Sequence, residues 1–351
     1  MARLLLVAAA TCAGLLLAEC LLRMFVEQET RRLAIYDRDL GWRGSPHGRG
    51  MYIRRQDGIR TEFSYNNLGF RDEDVGPRKA GDLRILMLGD SFLESLELAY
   101  DQIFHELVER LLPARIGRPV DVVALGSQGY STAQQLLAFR RYHDLVQADV
   151  VLSLVYSGND FEDNLRPQFA YLDDQGRLQL PPPRDSRLRA ACQSLKRWLY
   201  EHSHLVFLIK NQLESRARVR LAPASKSATD QGDPYKRRIM AQLLAQTRRE
   251  VAAAGADYAV IVLPAREELA SGDRRWINAV VAACQAEGIA CFDLSSDLTA
   301  DHYFATDVHF NRAGHALVAE RICDVLADRG EPGLLEQFEA SPSASPPPGE
   351  P

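Results

Sequence analysis

Five short apolar runs alternating with helical stretches predict an α/β fold on a parallel sheet, preceded by an N-terminal transmembrane helix. The composition allows such a core. The chain has 351 residues, of which 46% are hydrophobic and 25% charged, with 23 Gly, 17 Pro and 6 Cys. These values exclude a collagen-like, disulfide-dense or wholly disordered chain. Lys plus Arg number 42 and Asp plus Glu 47, a net charge of −5. That balance argues against a nucleic-acid binder relying on phosphate neutralisation.

Residues 4–22 are apolar apart from Thr11 and Glu19. As a helix they span roughly 28 Å, close to a bilayer core of about 30 Å. Glu19 precedes Arg23 by four residues, a pairing distance on a helix. A cleaved signal peptide needs a small-x-small site, and the run ends instead in Glu19-Cys20-Leu21-Leu22-Arg23. A lipoprotein needs a small residue before its cysteine, but Cys12 and Cys20 follow Thr11 and Glu19. An uncleaved anchor over residues 1–25 is therefore expected. Arginines on both flanks leave its orientation open.

Residues 26–80 form a polar extension rich in Gly and Arg, with short strands expected at 50–53 and 61–65. The α/β domain follows, over 81–330. Its first strand, 83–88, is apolar apart from Arg84 and ends at Gly89, as a buried parallel strand would. Runs at 120–125, 149–156, 258–263 and 289–294 repeat that signature. Helices are expected over 102–112, 132–146, 235–254 and 276–287, the last stopped by Gly288. An insert at about 184–220 spaces Leu188, Cys192, Leu195, Leu199, Val206, Ile209 and Leu213 as one amphipathic helix or two in sequence. It carries nine Lys/Arg against three Asp/Glu. That is a solvated basic face or, more sharply, a lid or a surface for anionic partners. The tail, 331–351, is Pro/Ser-rich from about 340 and expected to be disordered there.

Ligands of α/β folds gather at the C-terminal ends of the strands. After the first strand stands Gly89-Asp90-Ser91-Phe92, after the second Gly126-Ser127-Gln128-Gly129, after the third Ser157-Gly158-Asn159-Asp160. Near the C-terminus lies Asp307-Val308-His309-Phe310-Asn311-Arg312-Ala313-Gly314-His315. Alone, each is an ordinary turn. In this order they supply a nucleophile, two oxyanion donors and a His with a nearby carboxylate, the parts of an acyl-transfer site.

That order resembles the SGNH hydrolases, the GDSL-type esterases and lipases. The stretches 39–43 and 66–72 and the Glu19–Arg23 end of the apolar run resemble bacterial membrane-anchored members. The resemblance covers roughly residues 35–328. It implies a three-layer α/β/α, flavodoxin-like fold, with Ser91 as nucleophile, His309 as base and Asp307 as its orienting acid. Ser91, Gly129 and Asn159 would form the oxyanion hole. It further implies an inner-membrane anchor with the domain outside the cytoplasm. Three positions depart from the pattern: Phe92 for a common Leu, Ala124 for a frequent Asn, and Asp-x-His for Asp-x-x-His. The last leaves Asp301 as a rival to Asp307.

The expected function is an esterase acting on an envelope glycan, lipid or small ester. An O-acyltransferase using the same site, like relatives in alginate O-acetylation, is one alternative. A non-catalytic glycan- or protein-binding envelope protein is another. No cofactor and no metal are expected, for no metal-ligand spacing or phosphate loop occurs, and His202 and His204 lack a third ligand at a suitable spacing. Cys284 and Cys291 form either a disulfide or a pair of buried thiols.

Overall fold

The computed structural model describes residues 2–26, 34–54, 57–182, 187–221 and 233–327. The tail expected to be disordered and the first residues of the insert lie outside these. In chain order the elements begin with α1 (Ala2–Phe25), β1 (Ala34–Asp37), β2 (Gly41–Gly44), β3 (Arg49–Arg54) and β4 (Ile59–Ser64). Then come β5 (Leu83–Gly89), α2 (Ser91–Glu94), α3 (Phe104–Leu111), α4 (Pro113–Ile116), β6 (Val120–Gly126), α5 (Thr132–Val146) and β7 (Val150–Tyr156). They are followed by α6 (Asp160–Asp163), β8 (Tyr171–Leu172), β9 (Leu178–Gln179), α7 (Arg187–His202) and α8 (His204–Leu221). The chain closes with α9 (Asp233–Ala253), β10 (Asp257–Leu263), α10 (Arg266–Ser271), α11 (Arg275–Glu287), β11 (Ala290–Asp293) and α12 (Arg312–Leu326).

The five expected strands form one parallel sheet in the order β11-β10-β7-β5-β6. Every residue of β5 and β7 is buried, which explains their unbroken apolar runs. Leu83, Ile85 and Met87 face one layer with Phe104 and Val108 of α3 and Val318 and Ile322 of α12. Leu86 and Leu88 face the other, with Phe139 of α5, Leu244 of α9 and Val280 of α11. The result is the three-layer α/β/α architecture. Strand order reverses at β5, since the chain passes first to β6 on one side and then to β7 on the other. A crevice opens at such a reversal, beyond the C-terminal strand ends.

The polar extension is tied into this domain. Its two hairpins, β1–β2 and β3–β4, are antiparallel. Leu40 and Phe70 are fully buried in the same core layer as Phe139 and Tyr142. The buried Arg71 guanidinium donates to the carbonyls of Glu94, Ser95 and Leu98, the segment that follows Ser91. Asp72 accepts from the N–H of Ala124 at 2.7 Å and from the Tyr100 hydroxyl at 2.7 Å, and burial pushes its carboxyl up to about 8. Strands β1 and β2 had no alternating signature and were not expected from the sequence.

Gly69 fastens the two segments. Its φ is +85°, and a Cβ there would stand 2.1 Å from the Gly44 carbonyl oxygen. The Gly44 N–H donates to the Gly69 carbonyl at 2.9 Å. Gly69→Ala should therefore destabilise the protein by about 1–3 kcal/mol, read as a lowered Tm in detergent. An unchanged Tm would mean that this contact opens at no cost.

Helix α1 is long and apolar enough to cross a membrane, and its apolar stretch is not buried against the rest of the protein. Gly288 ends α11 with φ +61°, as its position predicts. Cys284 and Cys291 are free thiols joined by a hydrogen bond.

Candidate active site

Ser91 is the first residue of α2, two positions beyond the end of β5. The Asp90 side chain caps the helix by accepting from the Phe92 N–H at 2.9 Å. The Ser91 N–H, at the first turn of a short helix, has no intrahelical acceptor. Beyond β6, Gly129 sits at φ +71°, and its N–H makes no hydrogen bond among the described residues. Asn159 follows β7 by three residues, where Gly158 and Asn159 turn the chain into α6. The register pairs Gly89 with Gly126 and Leu88 with Ser153. The three loops thus leave neighbouring strands at the C-terminal end of the sheet.

Cross-links hold these loops. Glu94 of α2 accepts from the Gln128 N–H at 2.8 Å and from the Tyr65 hydroxyl at 2.6 Å, joining the first loop to the second. Trp42 donates from Nε1 to the Gln128 carbonyl at 3.0 Å. Arg166 donates to the Gly129 carbonyl at 2.5 Å and to Asp163 at 2.6 Å. Asn159 donates from Nδ2 to Asp163 at 3.1 Å; the amide carries a second N–H. Beneath, burial and the neighbouring Asp90 push the Asp160 carboxyl well above its ordinary value. Asp90 itself is pushed up to about 6 by burial.

His309 comes from the loop before α12. Its Nε2 lies 2.8 Å from Ser91 Oγ, and its Nδ1 is hydrogen-bonded to Asp307. Asp307 Oδ1 also accepts from the His309 main-chain N–H at 2.9 Å, so the two-residue spacing closes a local turn. The loop is fixed by Asn311, which caps α12 and donates to the Asp301 and Tyr303 carbonyls at 2.6 and 3.0 Å. Asp301 is exposed and enters this network through its main chain alone. Phe92 packs on His309 with ring centroids 5.0 Å apart, so the Phe that replaces a common Leu acts as a platform. His315 is structural: it is buried, accepts from the Phe104 N–H at 3.1 Å, and burial drives its pKa well below the ordinary value.

Two residues that the sequence reading missed complete the acid side. Glu97, 3% exposed at its side chain, places Oε1 3.4 Å from His309 Nδ1. Arg54, at the end of β3, pairs with the other oxygen of Asp307 and with Asp57 at 2.6 Å. Burial and the neighbouring Glu97 push the Tyr52 phenol up to about 12. The β3–β4 hairpin therefore reaches the site itself. Glu97, Asp307 and His309 each bring one ligand atom within 4.8 Å of the others, a possible cation cluster. Arg54 already supplies positive charge to Asp307 there, which disfavours a metal. His202, which the sequence pairs with His204, bonds the Trp198 carbonyl through Nδ1.

A sequence profile of the GDSL-like Lipase/Acylhydrolase family matches residues 87–317, well over half of the chain. No curated protein matches. Among solved structures, a psychrotrophic esterase EstA from Pseudoalteromonas is similar at 12% identity, over 69% of this chain and 96% of that one, with a TM-score of 0.41. A lipase/acylhydrolase from Enterococcus faecalis is similar at 14% identity, over 71% and 97%, with a TM-score of 0.41. A GDSL-like lipase from Bacteroides thetaiotaomicron is similar at 11% identity, over 68% and 85%, with a TM-score of 0.34.

Proposed function

The chain belongs to the GDSL-like lipase/acylhydrolase family, and we propose that its ester hydrolysis is carried by Ser91, His309 and Asp307 on a membrane-tethered domain. The observation that carries this reading is the 2.8 Å approach of His309 Nε2 to Ser91 Oγ, with Asp307 on the opposite ring nitrogen. Asp307 keeps the proton on Nδ1 and leaves Nε2 free to accept from the Ser91 hydroxyl. Ser91 attacks the acyl carbonyl, and its proton passes to Nε2. The N–H groups of Ser91 and Gly129 and the Asn159 amide receive the oxyanion. His309 then protonates the leaving alcohol. Water, deprotonated by the same nitrogen, releases the acyl group and restores the serine.

The tether is residues 1–25, with the domain over 81–330 outside the cytoplasm at a bacterial inner membrane and 26–80 bracing its site. Support comes from the exposed apolar helix α1 and its poor cleavage signal. An acylated envelope glycan, a lipid or a small ester suits such a site.

The test is acid release from a short-chain aryl ester by the full-length protein in detergent, with and without sugar acceptors. Hydrolysis unaffected by acceptors is expected; stoichiometric acyl transfer to sugar would assign the acyltransferase reading instead. Asn159→Ala should lower kcat roughly 10²-fold, the usual cost of one oxyanion donor. A raised KM with unchanged kcat would make Asn159 a ground-state binding group.

A further inference from the structure

Among the described residues the α7–α8 hairpin makes no hydrogen bond to Ser91, His309 or Asp307, and it is fastened to α1. The Glu19 carboxylate accepts from the Ser203 hydroxyl at 2.9 Å and from the N–H groups of His204 and Leu205 at 2.8 and 3.0 Å. These are the first free donors of α8, so Glu19 caps that helix from outside it. Arg23 donates to Glu19 at 2.8 Å and to the His202 carbonyl, at the end of α7, at 2.5 Å. The two charges that close the apolar span are thus explained: they hold the hairpin turn. On α1, Ala18, Glu19 and Leu22 are partly covered and share one face, while the rest of the helix is exposed.

The hairpin then presents apolar side chains to its surroundings. Leu195, Trp198 and Leu199 of α7 follow i, i+3, i+4 spacing and are 59%, 55% and 37% exposed. Ile209 and Leu213 of α8 are 51% and 60% exposed. In water, burying such side chains stabilises by roughly 1.5–3 kcal/mol each, so a free hairpin has no reason to display them. In sequence the stretch 184–220 carries nine basic residues against three acidic. Apolar exposure, a basic sequence and attachment at the end of a membrane-length helix occur together.

We propose that the α7–α8 hairpin is an interfacial membrane-binding element, lying in the surface layer of the bilayer that α1 crosses. Its apolar side chains reach the acyl boundary, and its Lys and Arg side chains meet anionic headgroups. The pinning by Glu19 sets the hairpin at the level where the apolar span ends. It adds a second contact to the membrane and fixes how the domain stands on it. The proposal rests on α1 being an anchor.

The test uses the full-length protein in vesicles of phosphatidylcholine and phosphatidylglycerol, with acyl chains brominated or not. Flotation reports the anchor; the emission lost in Trp198→Phe, taken by difference, reports the hairpin. Expected are flotation, a blue-shifted Trp198 emission, and loss of most of it in brominated vesicles. The double variant Leu195→Asp/Ile209→Asp should still float and hydrolyse a soluble ester normally, but its Trp198 should escape quenching. Flotation with a Trp198 that bromination does not touch overturns the proposal and leaves the anchor standing. If that Trp is also shielded from aqueous iodide, a second copy covers the face. A chain that does not float overturns the anchor and the hairpin together.

Discussion

Ser91→Ala is expected to abolish hydrolysis of a short-chain aryl ester, with kcat falling roughly 10⁴-fold or more while the fold stays intact. The size follows from the chemistry. Without the hydroxyl no acyl-enzyme forms, and only the oxyanion donors remain to assist water. The stability effect is small because Ser91 Oγ has one partner, His309 Nε2, at the rim of the crevice. A partly exposed hydrogen bond of this kind contributes about 1 kcal/mol. The helix it opens is capped by Asp90, which the substitution leaves alone. Unfolding in detergent should therefore be unchanged within a few degrees. Retained turnover would move the nucleophile to another residue. The buried Ser157, already held by the Leu263 carbonyl and Glu268, is a poor substitute.

The second large effect is expected at the acid. Asp307→Asn should lower kcat by about 10⁴-fold with little change in KM. An asparagine there presents an amide N–H to Nδ1 and favours the tautomer whose proton faces Ser91, where it blocks proton acceptance. Glu97 is the rival that the structure supplies in place of Asp301. Its oxygen stands 3.4 Å from Nδ1, outside ordinary hydrogen-bond reach, while Asp307 bonds both the ring and the main chain of His309. Glu97→Gln should thus cost no more than about tenfold, the effect of roughly 1.4 kcal/mol, and Asp301→Asn less. A larger loss at Glu97 than at Asp307 would reassign the orienting acid. Equal, small losses would leave a Ser–His dyad.

The contrast between these carboxylates also marks what the sequence could reveal. Strands buried on both faces are written as apolar runs, as in β5 and β7, and all five core strands were legible to within a residue or two. Helix α5 was legible in full because its start is written as a capping box, Ser131 with Gln134. The hairpin β1–β2 was not, since four-residue strands with half-buried faces carry no alternation to detect. The residues set at the ends of β5, β6 and β7 were legible because strand order converts chain order into proximity. Arg54 and Glu97 were not, because Arg54 meets Asp307 from the β3–β4 hairpin and Glu97 meets His309 from beyond α2, each across more than two hundred residues of chain. One signal was available. In Phe92-Leu93-Glu94-Ser95-Leu96-Glu97-Leu98, two acids sit among four large apolar residues, a pattern that demands buried partners. Glu94 found Gln128 and Tyr65, and Glu97 stands beside His309.

The central claim is that Ser91 is a nucleophile activated by His309. Its most direct measurement is covalent labelling of the full-length protein with a fluorophosphonate probe, followed by peptide mass spectrometry. The account predicts one adduct, on Ser91, absent from Ser91→Ala and strongly slowed in His309→Ala. Labelling of a different serine, or sustained ester hydrolysis with Ser91 unmodified by the probe, would contradict it.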